Sequence, residues 1–157
     1  MNYPKVVFPE CASHLSKAFG NRQAHQEYAA EQLKTVDFDT IVVTGISGMV
    51  FGSVLSFLMK KHLVVVRKGG DRCHSFRKVE TSFPCDDESS SDNSWSTKHS
   101  FRWVFLDDLV DSGKTFKRVR KVVKQILPGG VYVGRYMYDT HNFVSVKEDG
   151  RFAKLKA

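Results

Sequence analysis

The run Trp103-Val104-Phe105-Leu106-Asp107-Asp108-Leu109-Val110-Asp111-Ser112-Gly113-Lys114-Thr115 sets two adjacent carboxylates at the end of an apolar stretch, just ahead of a small-residue turn that opens a helical pattern. Two neighbouring carboxylates suit a pair of vicinal hydroxyls or a hydrated Mg²⁺. Backbone N–H groups from Ser112 to Thr115 would lie at a helix N-terminus, where unpaired donors and the helix dipole favour an anion. Ser112 and Thr115 can add hydroxyl donors, and Gly113 lets the backbone come close. Sugar plus phosphate is the ligand this pattern implies. The plainer alternative is that Asp107 and Asp108 end a strand and Ser112 caps a helix.

Three other chemistries compete for these residues. Gly113-Lys114-Thr115 matches the end of the G-x-x-x-x-G-K-T phosphate loop, but the first glycine of that pattern falls on Asp108, whose carboxylate would repel a triphosphate. Gly45-Ile46-Ser47-Gly48, with Asp107 and His141 downstream, has the chain order of a serine hydrolase triad; Met49 stands where the nucleophile elbow needs glycine. Cys73, His74, Cys85 and His99 fit no structural zinc spacing.

Those side chains need a scaffold. Arg22 to Thr35 reads as an amphipathic helix and Ile41 to Thr44 as a buried strand. The turn Gly45 to Gly48 then leads into a helix from about Met49 to Lys61, and Leu63 to Arg67 is a second strand. Thr40 to Met59 is uncharged and long enough to span a membrane, but glycines and serines break its middle, so strand, turn and helix is the better reading. A third strand, Arg102 to Leu106, runs into the acidic pair; a helix follows from Lys114 to Leu127, and Val131 to Met137 and Phe143 to Val146 complete the strands. Alternation of strands and helices predicts an α/β fold with a doubly wound, mostly parallel sheet flanked by helices, binding its ligand at the carboxyl ends of the strands. Residues 70–100, rich in serine and charge, read as a flexible loop or flap within a single domain spanning 1–157.

Composition narrows the partners. In 157 residues, 24 Lys plus Arg oppose 17 Asp plus Glu for a net charge of +7, which favours an anionic ligand, nucleic acid or membrane face. An odd cysteine count (Cys11, Cys73, Cys85) without a C-x-x-C pair argues against a disulfide framework and for the cytoplasm, and no targeting segment is visible.

The segment Phe105 to Thr115 resembles the phosphoribosyl diphosphate motif of the type I phosphoribosyltransferases. That resemblance implies a transferase core with a flexible loop and a small hood. Asp107 and Asp108 would hold the ribose hydroxyls and Mg²⁺, and Asp111, Ser112, Gly113, Lys114 and Thr115 would cradle the 5-phosphate. Two upstream features fall in the order the family requires. Thr44-Gly45-Ile46-Ser47-Gly48 resembles its pyrophosphate loop, which often carries a non-proline cis peptide, and Arg67-Lys68 resembles the basic residues that reach the diphosphate. The implied reaction is attack of a nucleobase nitrogen on C1 of phosphoribosyl diphosphate with release of pyrophosphate, dependent on Mg²⁺, in a protein that is often a homo-oligomer.

The motif is closest to that of members using 6-oxopurines, which carry aspartate at the position of Asp111, the candidate general acid/base. Arg135 stands where such enzymes often have a lysine, with Tyr136 and Tyr138 able to stack on the base; adenine and orotate stay open. His74, Ser75 and Lys78 are candidates in the loop. The alternative from another class is a regulator on the same fold that senses phosphoribosyl diphosphate or binds RNA. It would use the acid-free face of Lys114, Lys117, Arg118, Arg120, Lys121 and Lys124, opposite Phe116, Val119, Val123 and Ile126.

Overall fold

The computed structural model describes residues 22–68, 78–83, 100–108 and 112–147. The elements run α1 (Arg22–Leu33), β1 (Thr40–Thr44), α2 (Gly45–Met59), β2 (His62–Val66), β3 (Val79–Thr81), β4 (Phe101–Asp107), α3 (Lys114–Ile126), β5 (Gly130–Met137) and β6 (Asn142–Ser145). They form a six-stranded sheet in the order β3-β2-β1-β4-β5-β6. The four inner strands are parallel; β3 and β6 pair antiparallel to β2 and β5 at the two edges.

Strand periodicity sorts the core into two layers. Ile41, Val43, Val104, Leu106 and Tyr136 pack with Ala29, Leu33, Phe51 and Leu55 of α1 and α2. Their neighbours Val42, Trp103 and Phe105 face the other way, onto Phe116, Val119 and Val123 of α3. Both faces are therefore covered, as a parallel sheet requires, and every residue of β1 is buried. The strands after β1 are added on one side of it and those from β4 on the other, with α2 and α3 on opposite faces, so the winding of the sheet reverses between β1 and β4. A doubly wound sheet opens its ligand crevice there, beyond the carboxyl ends of the two strands.

A pair of glycines sets how closely α2 approaches that crevice. A Cβ on Gly52 would lie 2.6 Å from Val43 Cγ1, and one on Gly48 would lie 3.5 Å from Val43 Cβ and 3.8 Å from the Leu106 carbonyl oxygen. With no side chain at either position, the helix straddles β1 and β4 and carries its first turn over their ends. The helix begins at Gly45 itself, without the separate turn expected over Gly45 to Gly48. The reason is local: Gly45 takes φ +72°, so the reversal after the strand is made in one residue. No cis peptide bond occurs among the described residues, contrary to the expectation for this loop.

The uncharged stretch from Thr40 to Met59 is divided between β1 and α2, and among the described residues no helix is long and apolar enough to cross a membrane. Inside the expected flap, Val79–Thr81 forms an edge strand that pairs with Val64, Val65 and Val66. At three residues it is too short to leave a periodic signal. Residues 70–77 and 84–99 lie outside the described residues.

Candidate active site

Four strand ends converge at the crevice: Thr44-Gly45 after β1, Arg67-Lys68 after β2, Asp107-Asp108 after β4 and Tyr138 after β5. Lys68 links them. A Cβ on Gly45 would lie 3.1 Å from Lys68 Cε and 3.2 Å from its Nζ, so the ammonium group rests across the glycine. The same positive charge also acts on Asp107, lowering its pKa. The first turn of α2 leaves its leading N–H groups outside the intrahelical ladder, so a cation and a set of free amide donors share one spot.

The Asp107 carboxyl is pushed up from 3.8 to about 7, chiefly by burial and then by repulsion from Asp108 and a side-chain hydrogen bond with it; the Asp108 N–H and Lys68 offset part of this. That N–H donates to Asp107 Oδ1 at 3.1 Å. A half-buried acid pair beside Lys68 is a set of carboxylate oxygens rich in acceptors. Chemically it fits a hydrated divalent cation or a polyol.

The second anion loop starts from Ser112, whose Oγ accepts a hydrogen bond from the Lys114 N–H at 3.4 Å, and from Gly113 at φ +70°. Gly113 is buried, whereas Ser112, Lys114 and Thr115 are exposed at the head of α3. Asp111 lies outside the described residues, as do His74, Ser75, Cys73, Cys85 and His99.

The structure separates several residues expected to act together. Arg67 Nη2 forms an ion pair with Glu80 of β3 at 3.1 Å, while Lys68 lies across the glycine turn. Arg135 and Tyr136 point to opposite faces of the sheet because they are consecutive on β5. Arg135 is buried, with Nη1 donating to Met137 Sδ at 3.4 Å. Tyr136 is fully buried and shares a 2.9 Å hydrogen bond with His141 Nδ1, while Tyr138 stacks on Phe51 with ring centroids 4.5 Å apart. Neither tyrosine offers an open ring face, so the expected stacking platform for a base is not built from them.

The hydrolase reading fails on the same ground. His141 Nε2 lies 2.6 Å from His25 Nδ1 and its Nδ1 bonds Tyr136, so neither ring nitrogen is left for Ser47. His141 takes φ +50°, and burial, together with the neighbouring His25, lowers its pKa. With Ala24, His25 and Tyr28 it lines a shallow groove of about 280 Å³ on the α1 side.

One contributor was hidden in the basic helix. At about 100° per residue, Lys114, Lys117, Lys121 and Lys124 form one exposed stripe, and Arg118 and Arg120 fall on its two borders. Border residues can reach back to the sheet. Arg118 Nη1 donates to the Arg67 carbonyl at 2.8 Å and Nη2 to Thr44 Oγ1 at 3.0 Å, while Thr44 Oγ1 donates to the Val66 carbonyl at 2.6 Å. Arg120 instead lies over the Tyr132 ring, 5.8 Å from its centroid.

No family model matches the chain. In architecture it is similar to the orotate phosphoribosyltransferase of Francisella tularensis, with a TM-score of 0.53 at 12% identity, covering 91% of this chain and 63% of that one. That likeness is one of fold. In sequence it is similar to the adenine phosphoribosyltransferase of Pseudothermotoga lettingae, 27% identical over 112 residues that cover 71% of this chain and 65% of that protein. The adenine phosphoribosyltransferase of Caldicellulosiruptor saccharolyticus is 30% identical over 112 residues, covering 69% of this chain and 63% of that protein.

The chain has the fold of the type I phosphoribosyltransferases.

It spans just under two thirds of the length of these two relatives. Within this fold, Arg118 ties together the ends of β1 and β2 beside the glycine turn. We expect Arg118→Met, which keeps the stem and removes the fork, to lower stability by about 1–2 kcal/mol, since Thr44 Oγ1 and a carbonyl lose a charged donor. Urea unfolding checks the value; a loss below about 0.3 kcal/mol would show that the clamp carries no strain.

Proposed function

We propose that this chain transfers the 5-phosphoribosyl group of phosphoribosyl diphosphate to a purine base, with release of pyrophosphate and dependence on Mg²⁺. The observation that carries the proposal is the placement of Lys68 across Gly45 and beside Asp107, which joins an anion-binding helix turn to an acidic pair at the switch point of the sheet. In this reading the N–H groups of Ile46, Ser47 and Gly48, with Lys68, bind the diphosphate. Asp107 and Asp108 bind the ribose hydroxyls and would hold Mg²⁺, which when bound supplies positive charge to the leaving diphosphate. Ser112 to Thr115 take the 5-phosphate, and Asp111 exchanges a proton with the base. Catalysis is then positioning and charge stabilisation, without a protein nucleophile. The cytoplasm is our reading of its location, from the cysteine usage.

The relatives' names favour adenine and the aspartate at 111 favours a 6-oxopurine, so both enter the test. Pyrophosphate release is measured with Mg²⁺ and adenine, hypoxanthine, guanine, xanthine, orotate or uracil. Release with one purine is the expected result; silence with all six bases overturns the transferase reading. If phosphoribosyl diphosphate still binds, the regulator becomes the better reading, and the exposed lysine stripe of α3 supports testing it by salt-dependent RNA retention.

The family's homo-oligomers suggest a use for the outer face of α2. Ile46, Met49, Val54, Phe57 and Leu58 are exposed there, Phe57 to 81%, on a helix without a charged residue. A chargeless apolar stripe can meet its own copy across a twofold axis. We expect Phe57→Glu to shift the protein to monomer in light scattering at micromolar concentration, and an unchanged mass would place the contact elsewhere.

A further inference from the structure

Tyr138 carries a hydroxyl that the fold buries and that has no hydrogen-bond partner among the described residues. Its residue is 4% exposed, its backbone N–H donates to the Asp107 carbonyl at 3.1 Å, and its ring lies flat on Phe51, 11° from parallel. Ser47 stands one turn before Phe51 on α2, in the glycine turn assigned above to the diphosphate. Ser47 approaches the Tyr138 hydroxyl closely enough to lower its pKa, and Asp108 and Asp107 act on it by charge, so it lies among groups from both halves of the site; among the described residues none completes a hydrogen bond of good geometry with it. A buried hydroxyl left unsatisfied costs about 1–3 kcal/mol. Trp103 Nε1 is also unpartnered among the described residues, but it sits in the aromatic core with Tyr132, away from the strand ends.

We infer that the Tyr138 hydroxyl donates a hydrogen bond to an oxygen of the bound sugar diphosphate, where that ligand crosses from the first turn of α2 to the acidic pair. This inference rests on the function proposed above and gives Tyr138 a role different from stacking on the base. A phenol keeps its proton at working pH, so the group is a donor. The Phe51 stack fixes the ring, so the hydroxyl meets the ligand without ordering a side chain.

Tyr138→Phe keeps the ring and the stack and removes only the oxygen. Isothermal calorimetry with Mg²⁺ and phosphoribosyl diphosphate is expected to show about 10- to 100-fold weaker binding, the worth of a hydrogen bond to a charged group. The thermal midpoint of the ligand-free variant should stay level or rise, because an unsatisfied group has been removed. Affinity within twofold of the parent, or a fall in ligand-free stability, overturns the inference. If the parent itself binds no phosphoribosyl diphosphate, the proposed function falls, and this inference with it.

Discussion

Asp107→Asn is expected to lower phosphoribosyl-transfer turnover on the order of 10²–10³-fold while making the ligand-free protein more stable above pH 7. The two effects share one cause. Folding pushes the Asp107 carboxyl up to about 7, so the folded protein holds a proton that the unfolded chain releases near 3.8. Stability from this group is therefore fully present below about 3.8, falls as pH rises toward 7 and is level above that. Asparagine keeps the shape without the charge. Its advantage should grow across that window to about 1–2 kcal/mol, a figure reduced for solvent screening and for the paired Asp108. Thermal unfolding of both proteins from pH 5 to 8.5 reads the slope directly. Parallel curves would mean that Asp107 titrates as an ordinary surface acid, and undiminished turnover would remove it from the site. The tension is physical: a carboxylate held part-way out of water is ready for a cation or a polyol and costs stability until one arrives.

Gly52→Val is the second large effect expected, a loss of about 2–3 kcal/mol. Even the first added carbon would lie 2.6 Å from Val43 Cγ1, with Leu63 and Leu106 side-chain carbons 3.4 Å away, so the new side chain has no free direction. Relief requires α2 to lift from the sheet, and the first turn of the helix would move with it. Affinity for phosphoribosyl diphosphate should fall along with stability. Urea unfolding of Gly52→Val beside Ser53→Ala, at an exposed neighbour on the same helix, separates crowding from any general weakness of α2. Equal stability of the two variants would show that the helix does not need its close approach.

The elements were largely legible because their signals are local. The β-branched run of β1, the amphipathic period of α3 and the alternation of strand with helix are set by residues a few positions apart, and each appears within a residue or two of its expected bounds. β3 escaped because three residues carry no period; pairing with β2, not its own composition, makes it a strand. The start of α2 was misplaced by four residues, since glycine reads equally well as loop or as a sharp entry into a helix.

The site divides in the same way. Sequence alone determined that an acidic pair, a glycine turn and a basic strand end occur in an order matching one family, because each motif is contiguous. Tertiary structure decided which side chains meet. Arg118 reaches Thr44 across 74 positions and Arg67 across 51, and no spacing rule announces it. Arg67 pairs with Glu80 while Lys68 lies across Gly45, and Tyr136 and Tyr138 lose their ring faces to the core. Hydrogen-bond partners and desolvation depend on what the rest of the chain brings alongside, so the raised pKa of Asp107 and the unpaired hydroxyl of Tyr138 exist only once the sheet and α2 have closed over them.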